Sequence, residues 1–106
     1  MAIIKTLKGD ITKITDVQAI VNAANAGCYY NSMQLAQEHG IRSIAFPSIS
    51  TGVYSYPVEL AAKVAVRTVS RFLEDNPDSF DLVEWVLFDS VTESVYEAEV
   101  KKLCGR

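Results

Sequence analysis

The 106 residues carry a formal net charge of −3 and are 49% hydrophobic and 22% charged, a composition typical of one soluble globular domain spanning residues 1–106. The acidic balance argues against a nucleic-acid backbone as partner, and no apolar run approaches the roughly 20 residues of a membrane span. The N-terminus lacks the apolar core of a signal peptide, and Cys28 and Cys104 show no metal-ligand spacing, so we expect a cytoplasmic protein with no membrane partner, metal or cofactor.

Strand-like and helix-like segments alternate along the chain. The apolar pattern predicts strands at residues 3–7, 19–21, 43–49 and 82–88, and helices at residues 30–39, 58–74 and 90–103. Gly40 suits the position after a helix end, Pro57 suits the first helical position, and Ser90 with Glu93 has the pattern of a capping box. Pro47 lies inside the third predicted strand and has no backbone N–H, so it must occupy a position where the sheet needs no hydrogen bond from its nitrogen. The long helix presents a wide apolar face formed by Ala61, Val64, Ala65, Thr68, Val69, Phe72 and Leu73.

This alternation predicts an α/β fold in which parallel strands are joined by helical crossovers. Ligands of such sheets bind at the C-terminal ends of the strands. Polar stretches follow all four predicted strands, at residues 8–12, 22–27, 48–56 and 89–90. These stretches are therefore the candidate binding loops.

The stretch at residues 50–54 has the composition of an anion-binding loop. Its glycine lets a ligand approach the backbone, successive N–H groups can face a concavity, and the following helix adds the positive end of its dipole. A loop whose hydroxyls satisfy their own backbone is the alternative. The residues concerned are Ser50, Thr51, Gly52, Val53 and Tyr54.

Other candidates follow the remaining strands. Asn22 and Asn25 carry side-chain amides, and Asn25 could bind a sugar hydroxyl, although both could simply stabilise a turn. Asp10 could accept a hydrogen bond from a ligand amine or act as a turn residue, and Phe88 could stack on a ring or belong to the core. His39, the single histidine, fits a helix C-terminal cap, which leaves no Ser–His or Cys–His pair near these loops.

The motifs KGDITK, AIVNAAN and SIAFPSISTGVYSYP, followed by a long helix and a strand ending in FD, together resemble the macrodomain, the ADP-ribose-binding family. The resemblance covers nearly the whole chain. It implies that Asp10 binds the adenine amine, Ile11 lines the adenine pocket, Asn25 contacts the distal ribose and Phe88 lies near the adenine. It also implies that residues 50–54 hold the diphosphate.

The chain departs from the family pattern after Asn25. Family members continue into a glycine-rich loop, a helix and two further strands, whereas here Ala26 and Gly27 lead directly to a segment that resembles a later helix. The expected fold is a reduced, macrodomain-like three-layer α/β/α arrangement with a mixed, mostly parallel sheet of about four strands. Residues 19–23 would then form a sheet edge.

Three functions remain open on this resemblance. The first is binding of ADP-ribose, a related adenine nucleotide diphosphate or an ADP-ribosylated protein, weakened because one phosphate loop is missing. The second is ADP-ribosyl hydrolase or ADP-ribose phosphate phosphatase activity, for which Asn25 would be the one catalytic candidate. The third is a truncated form that keeps the fold and binds no ligand. We expect no catalytic competence, because the glycine-rich loop is absent and an amide is neither a strong base nor a nucleophile. An unprotected edge at residues 19–23 would favour a homodimer. The alternatives are that residues 28–32 fold back to shield this edge, or that helices exchange between two chains.

Overall fold

A computed structural model describes residues 2–20, 29–47 and 57–104 of the chain. The strands are β1 (Ile3–Lys8), β2 (Ala19–Ile20), β3 (Ser43–Phe46) and β4 (Leu82–Leu87), and the helices are α1 (Tyr29–Glu38), α2 (Val58–Asp75) and α3 (Ser90–Cys104). A 3-10 turn, Ile11–Lys13, follows β1. All seven predicted elements are present, with ends that differ by one to three residues.

The four strands form one sheet in the order β1-β4-β3-β2. All three pairings are parallel, with Ile3 opposite Leu82, Ser43 opposite Leu82 and Ala19 opposite Ile44. The predicted α/β class is confirmed, and β2 lies at the end of the strand order as expected. No antiparallel pair occurs among the described strands, so their sheet is parallel rather than mixed.

The layering follows from the handedness of the connections. The steps from β2 to β3 and from β3 to β4 run in one direction across the sheet, whereas the step from β1 to β2 runs in the other. Because crossovers between parallel strands are right-handed in nearly all proteins, α1 and α2 belong on one face and the β1–β2 connection on the opposite face. The described helices therefore form one layer, and the expected second helix layer is absent from the described residues.

One hydrophobic cluster joins the helix layer to the sheet. Trp85 of β4 is central to it, with ring centroids 6.5 Å from Tyr29 of α1 and 5.9 Å from Tyr96 of α3. Phe46 packs on Trp85 at 5.8 Å. Since side chains alternate along a strand, the cluster side of the sheet carries Ile44, Phe46, Val83, Trp85 and Leu87, and the second face carries Ala45, Glu84 and Val86.

Helix α1 ends in the way its glycine predicts. Gly40 has a φ of 73°. Its N–H donates to the Gln37 carbonyl at 3.0 Å, and the N–H of Ile41 donates to the Ala36 carbonyl at 3.0 Å. These two hydrogen bonds form a Schellman motif, which satisfies carbonyls that the helix end would leave unpaired.

The start of α2 differs from its prediction by one residue. Pro57 is the N-cap, with φ −60° and ψ 133°, rather than the first helical residue. The apolar face of α2 is also shifted, since Val64 is 45% exposed. The buried residues of α2 are Ala61, Ala62, Ala65, Val66, Val69, Phe72 and Leu73.

The start of α3 also differs. Asp89, not Ser90, caps this helix, because its Oδ1 accepts a hydrogen bond from the Thr92 N–H at 2.7 Å. Glu93 does not complete a capping box and instead accepts a hydrogen bond from Thr6 Oγ1 of β1 at 2.9 Å. None of the described helices combines the length and apolarity needed to cross a lipid bilayer.

Candidate functional site

All four strands end at the same edge of the sheet, because every described pairing is parallel. The pairing of β1 with β4 continues one step beyond the strands, where the Gly9 N–H donates to the Leu87 carbonyl at 2.8 Å. Residues that follow β1 and β4 are therefore neighbours at this edge. Asp10 and Ile11 follow β1, and Phe88 follows β4, so the fold brings these three predicted site residues to adjacent strand ends.

Asp10 caps the 3-10 turn with one of its two carboxylate oxygens. Oδ1 accepts hydrogen bonds from the Thr12 N–H at 2.9 Å and from Thr12 Oγ1 at 2.6 Å. These bonds, the side-chain one first, hold the pKa of Asp10 below its ordinary value. No described residue donates to Oδ2. These bonds thus fix the orientation of the carboxylate and favour its ionised form, and no hydrogen bond within the described residues uses Oδ2.

The apolar residues at this edge differ in exposure. Ile11 is half-buried, whereas Phe88 is 73% exposed and Val91, in the first turn of α3, is 72% exposed. Phe88 is therefore not a core residue, which was the alternative interpretation of its position. An exposed aromatic ring can stack on the face of a planar ligand, while a carboxylate at the neighbouring strand end accepts hydrogen bonds from polar groups at the edge of that ligand.

A second carboxylate, Asp89, lies at the same edge and was not singled out by its sequence pattern. Its Oδ2 accepts from Thr92 Oγ1 at 3.1 Å, in addition to the backbone bond that caps α3. Backbone and side-chain hydrogen bonds from Thr92 lower the pKa of Asp89. The Asp-x-x-Thr spacing, with an acceptor at the cap and a hydroxyl three residues later, could have identified it.

The remaining predicted site residues lie outside the described residues. Asn22 and Asn25 follow β2, which ends at Ile20, and residues 50–54 lie between β3 and α2. The Pro57 cap of α2 supplies no side-chain hydrogen bond to the first turn of that helix. His39 Nδ1 lies 2.9 Å from the Leu35 carbonyl oxygen, as expected of a residue at a helix end.

A cluster of three charged side chains on the second face of the sheet was also not anticipated. Glu84 is 0% exposed, and its Oε2 lies 3.5 Å from Lys5 Nζ. The same Nζ lies 3.8 Å from Asp16 Oδ2. A glutamate within the apolar run LVEWVLF was the signal for this cluster. Among the described residues, no three His, Cys, Asp or Glu side chains are arranged to hold a metal ion.

A groove lies elsewhere on the helix layer. Its volume is about 360 Å³, and Tyr30, Thr68 and Arg71 line it. The Tyr30 hydroxyl donates to Asp75 Oδ2 at 2.7 Å, and Thr68 Oγ1 donates to the Val64 carbonyl at 2.7 Å. None of the residues predicted to bind a ligand contributes to this described lining.

Comparison with known proteins links the chain to one family. The family model described as Macro domain matches residues 22–65. An uncharacterized protein of Fusobacterium nucleatum is 37% identical over 169 aligned positions, which cover 95% of this chain and 96% of that protein. An O-acetyl-ADP-ribose deacetylase of Klebsiella pneumoniae is 54% identical over 72 residues, or 67% of this chain and 40% of that protein.

The fold agrees with these sequence matches. A solved structure of the Oceanobacillus iheyensis macrodomain with ADP superposes with a TM-score of 0.67 at 42% identity, covering 74% of this chain and 40% of that chain. The chain thus spans less than half of the deacetylase and of the solved macrodomain.

The Fusobacterium alignment has 169 positions whereas the chain has 106 residues, so part of that relative has no counterpart here. This agrees with a shortened form. The matched motifs, the α/β architecture and the extent of these similarities together show that the chain belongs to the macrodomain family.

Proposed function

We propose that the chain binds ADP-ribose or a related adenine nucleotide diphosphate, free or attached to a protein, at the C-terminal edge of its sheet. The observation that carries this proposal is the convergence of Asp10, Ile11 and Phe88 at adjacent strand ends, with Oδ2 of Asp10 unbonded among the described residues. The names of the relatives point to the same ligand class, since one is an O-acetyl-ADP-ribose deacetylase and another was solved with ADP.

On the adenine side, each of these three residues has a distinct role. Oδ2 of Asp10 accepts a hydrogen bond from the exocyclic amine, and the Thr12 hydrogen bonds keep the carboxylate turned toward it. Ile11 contacts the edge of the base, and the exposed ring of Phe88 stacks on its face. The low pKa of Asp10 keeps this acceptor ionised at neutral pH.

On the phosphate side, we assign the diphosphate to Ser50, Thr51, Gly52, Val53 and Tyr54, and the ribose and its surroundings to Asn22 and Asn25. The start of α2 supports this assignment. Pro57 gives no side-chain cap to the first turn of α2, and the N–H groups at a helix start favour an anion. The matched family segment, residues 22–65, includes all of these positions.

Binding is expected to be weak, because a second phosphate loop is missing from the chain. Loss of two charge-assisted hydrogen bonds, each contributing about 1.5–3 kcal/mol, weakens affinity by roughly two to four decades. Submicromolar affinity for ADP-ribose would contradict this expectation.

Isothermal titration calorimetry with ADP-ribose tests the proposal. We expect Asp10→Ala to weaken binding about tenfold to a hundredfold, because it removes one hydrogen bond to a charged acceptor. Asp78→Ala is the matched control, since Asp78 is an exposed aspartate in the turn before β4, at the opposite edge of the sheet. Equal affinities of the wild type and Asp10→Ala would place the ligand elsewhere.

We also propose that the chain is not a hydrolase, although one relative is a deacetylase. ADP-ribosyl hydrolysis is expected to be undetectable, because the loop that would orient the scissile bond is absent from the sequence. Turnover of an ADP-ribosylated protein that is abolished by Asn25→Ala would overturn this view. We also propose that the chain forms a single domain and that the protein is cytoplasmic. Cell fractionation tests the cytoplasmic location.

A homodimer through the β2 edge completes the proposal. Among the described strands β2 pairs only with β3, and Ile20 is 47% exposed. An edge without charge or proline invites a second chain, and antiparallel pairing about a two-fold axis uses the same patch twice. Residues 19–23 would form the contact.

Light scattering at increasing concentration measures this association. We expect Ile20→Lys to give a monomer and Ile3→Lys, on the opposite edge strand β1, to leave the dimer intact. A wild type that stays monomeric, or a dimer joined through α2, would refute the edge contact.

A further inference from the structure

The connection from Gly9 to Gln18, here called the strap, crosses the second face of the sheet. Its first end is fixed by the hydrogen bond from the Gly9 N–H to the Leu87 carbonyl. Its last residue, Gln18, donates through its N–H to Ser43 Oγ at 2.8 Å and accepts at Oε1 from the Arg42 N–H at 2.7 Å. The strap carries Asp10 and Ile11, so whatever holds it to the sheet also orients those residues.

The middle of the strap meets a buried carboxyl group. Asp16 shares Lys5 Nζ with Glu84, at 3.8 Å and 3.5 Å respectively. The side chains of Lys5 and Asp16 are 46% and 49% exposed, whereas Glu84 is 0% exposed. Neither oxygen of Glu84 receives a hydrogen bond from a described residue. Glu84 therefore lies beneath the strap with an unsatisfied hydrogen-bonding capacity.

The charges around Glu84 do not balance when both acids are ionised. β1 supplies one ammonium group, Lys5, the strap supplies one carboxylate, Asp16, and the neighbouring residue of β3 is Ala45, which has no charge. Burial and then the proximity of Asp16 raise the pKa of Glu84, and Lys5 opposes them. Two ionised carboxylates can only accept, so a hydrogen bond between them requires a proton on one of them.

We propose that Glu84 is a positioning residue for the ligand site, acting through a proton shared with Asp16 that ties the strap, and with it Asp10 and Ile11, to the sheet. With the proton present, one acid donates to the other and Lys5 balances the remaining negative charge. When the proton leaves, two carboxylates face each other across one ammonium group and the middle of the strap is released. This inference rests on the proposed function, because Asp10 and Ile11 are the ligand contacts that the strap carries.

A defined pH dependence of binding follows. Asp10 stays ionised down to pH values below its ordinary pKa, and Glu84 keeps its proton up to pH values above its own ordinary pKa. ADP-ribose affinity should be constant between these limits. It should fall, by up to about tenfold, as the pH rises through the raised pKa of Glu84.

The Glu84→Gln variant distinguishes the effect of the Glu84 proton on binding from the effects of other groups that titrate in the same pH range. Glutamine keeps the shape of the side chain and a permanent donor to Asp16 but cannot titrate. We expect Glu84→Gln to bind ADP-ribose with an affinity that no longer declines over this range. Glu38→Gln, which changes an exposed glutamate at the C-terminal end of α1, away from the proposed ligand site, should keep the wild-type pH profile. Identical profiles in wild type and Glu84→Gln would overturn the inference.

Hydrogen exchange of the Thr12 amide tests the tie without ligand, because this N–H is bonded to Asp10 within the strap. Its protection factor should fall as the pH rises in wild type and stay constant in Glu84→Gln. Protection that does not depend on pH in wild type would overturn the inference whatever the affinity. If the protection of Thr12 follows the expected pattern but no variant binds ADP-ribose, the proposed function is overturned, whereas the contact between Glu84 and Asp16 that holds the strap to the sheet is supported.

Discussion

Gly40 offers a direct test of how a backbone conformation stabilises this fold. Its φ of 73° lies in the left-handed region, which costs a residue with a side chain roughly 1–2 kcal/mol. A Cβ atom at this position would meet nothing within 4 Å, so the cost of Gly40→Ala is conformational rather than steric. The substitution also restricts the unfolded chain, which returns about 0.4–1 kcal/mol. The net loss expected is therefore about 1 kcal/mol.

Gly9→Ala is the matched control, because the same chemical change meets a different backbone. Gly9 is not in the left-handed region, and a Cβ there would lie 3.4 Å from Leu7 Cδ1 and 3.7 Å from Val86 Cγ1, which are ordinary contacts. Its N–H would still donate to Leu87. We expect Gly9→Ala to be neutral or to stabilise the protein by up to about 1 kcal/mol.

Urea unfolding and thermal melting of both variants measure the difference. For a chain of this size, 1 kcal/mol corresponds to a shift in Tm of about 4–8 °C. The Tm of Gly40→Ala should be lower than that of the wild type, and the Tm of Gly40→Asn should be lowered less. The Tm of Gly9→Ala should not be lower than that of the wild type. A Gly40→Ala variant as stable as wild type would refute the Schellman ending of α1. Equal losses in both alanine variants would refute the conformational argument.

Two further perturbations probe the cap of α3 and the core. Asp89→Ala should lower the Tm, whereas Ser90→Ala should not, because Asp89 holds the Thr92 N–H. The lowered pKa of Asp89 means that this stabilisation is present above its ordinary pKa and is lost as pH falls through the lowered value, so the Tm difference should vanish in acid. Phe72→Ala removes a ring in contact with Tyr30 and Phe80 and should cost about 3–5 kcal/mol in urea unfolding. Leu35→Ala, at a side chain 57% exposed, should change stability by less than about 0.5 kcal/mol.

Local signals predicted the elements well where one residue decides the outcome. Gly40 ends α1 because only glycine enters its conformation freely. The end of β3 was predicted less well, because the strand was expected to continue to residue 49 and instead ends at Phe46, directly before Pro47, which has no N–H to donate to a neighbouring strand. The cap of α3 was wrong by one residue because aspartate and serine are both good caps, and the end of β4 decides between them. That decision is tertiary, because the local sequence offers both an Asp-x-x-Thr and a Ser-x-x-Glu cap.

The arrangement of the helices in one layer and the surroundings of the buried Glu84 could not be predicted from the sequence, for a different reason. An apolar run such as that of β4 indicates burial on both faces but not what covers each face, and the order of strands was needed before handedness could assign the helices. Glu84 interrupts that run without indicating a partner, because Lys5 and Asp16 reach it only through the sheet register and the strap. At the site, parallel strand ends sufficed to predict that Asp10 and Phe88 share an edge.

The strand order also constrains how the chain can fold during synthesis. The two strands made first, β1 and β2, lie at opposite ends of the sheet, and neither pairs with the other. Among the described strands, β1 pairs with β4 alone, so the pairing of Ile3 with Leu82 cannot form until β4 has been made. Such distant pairings slow folding, because the entropy cost of closing the long loop between the two strands comes before their contacts can stabilise the fold. A nascent chain that ends before β4 can pair β2 with β3 but leaves β1 unpaired and has no complete sheet, so its exposed apolar segments can associate with other chains until β4 is made.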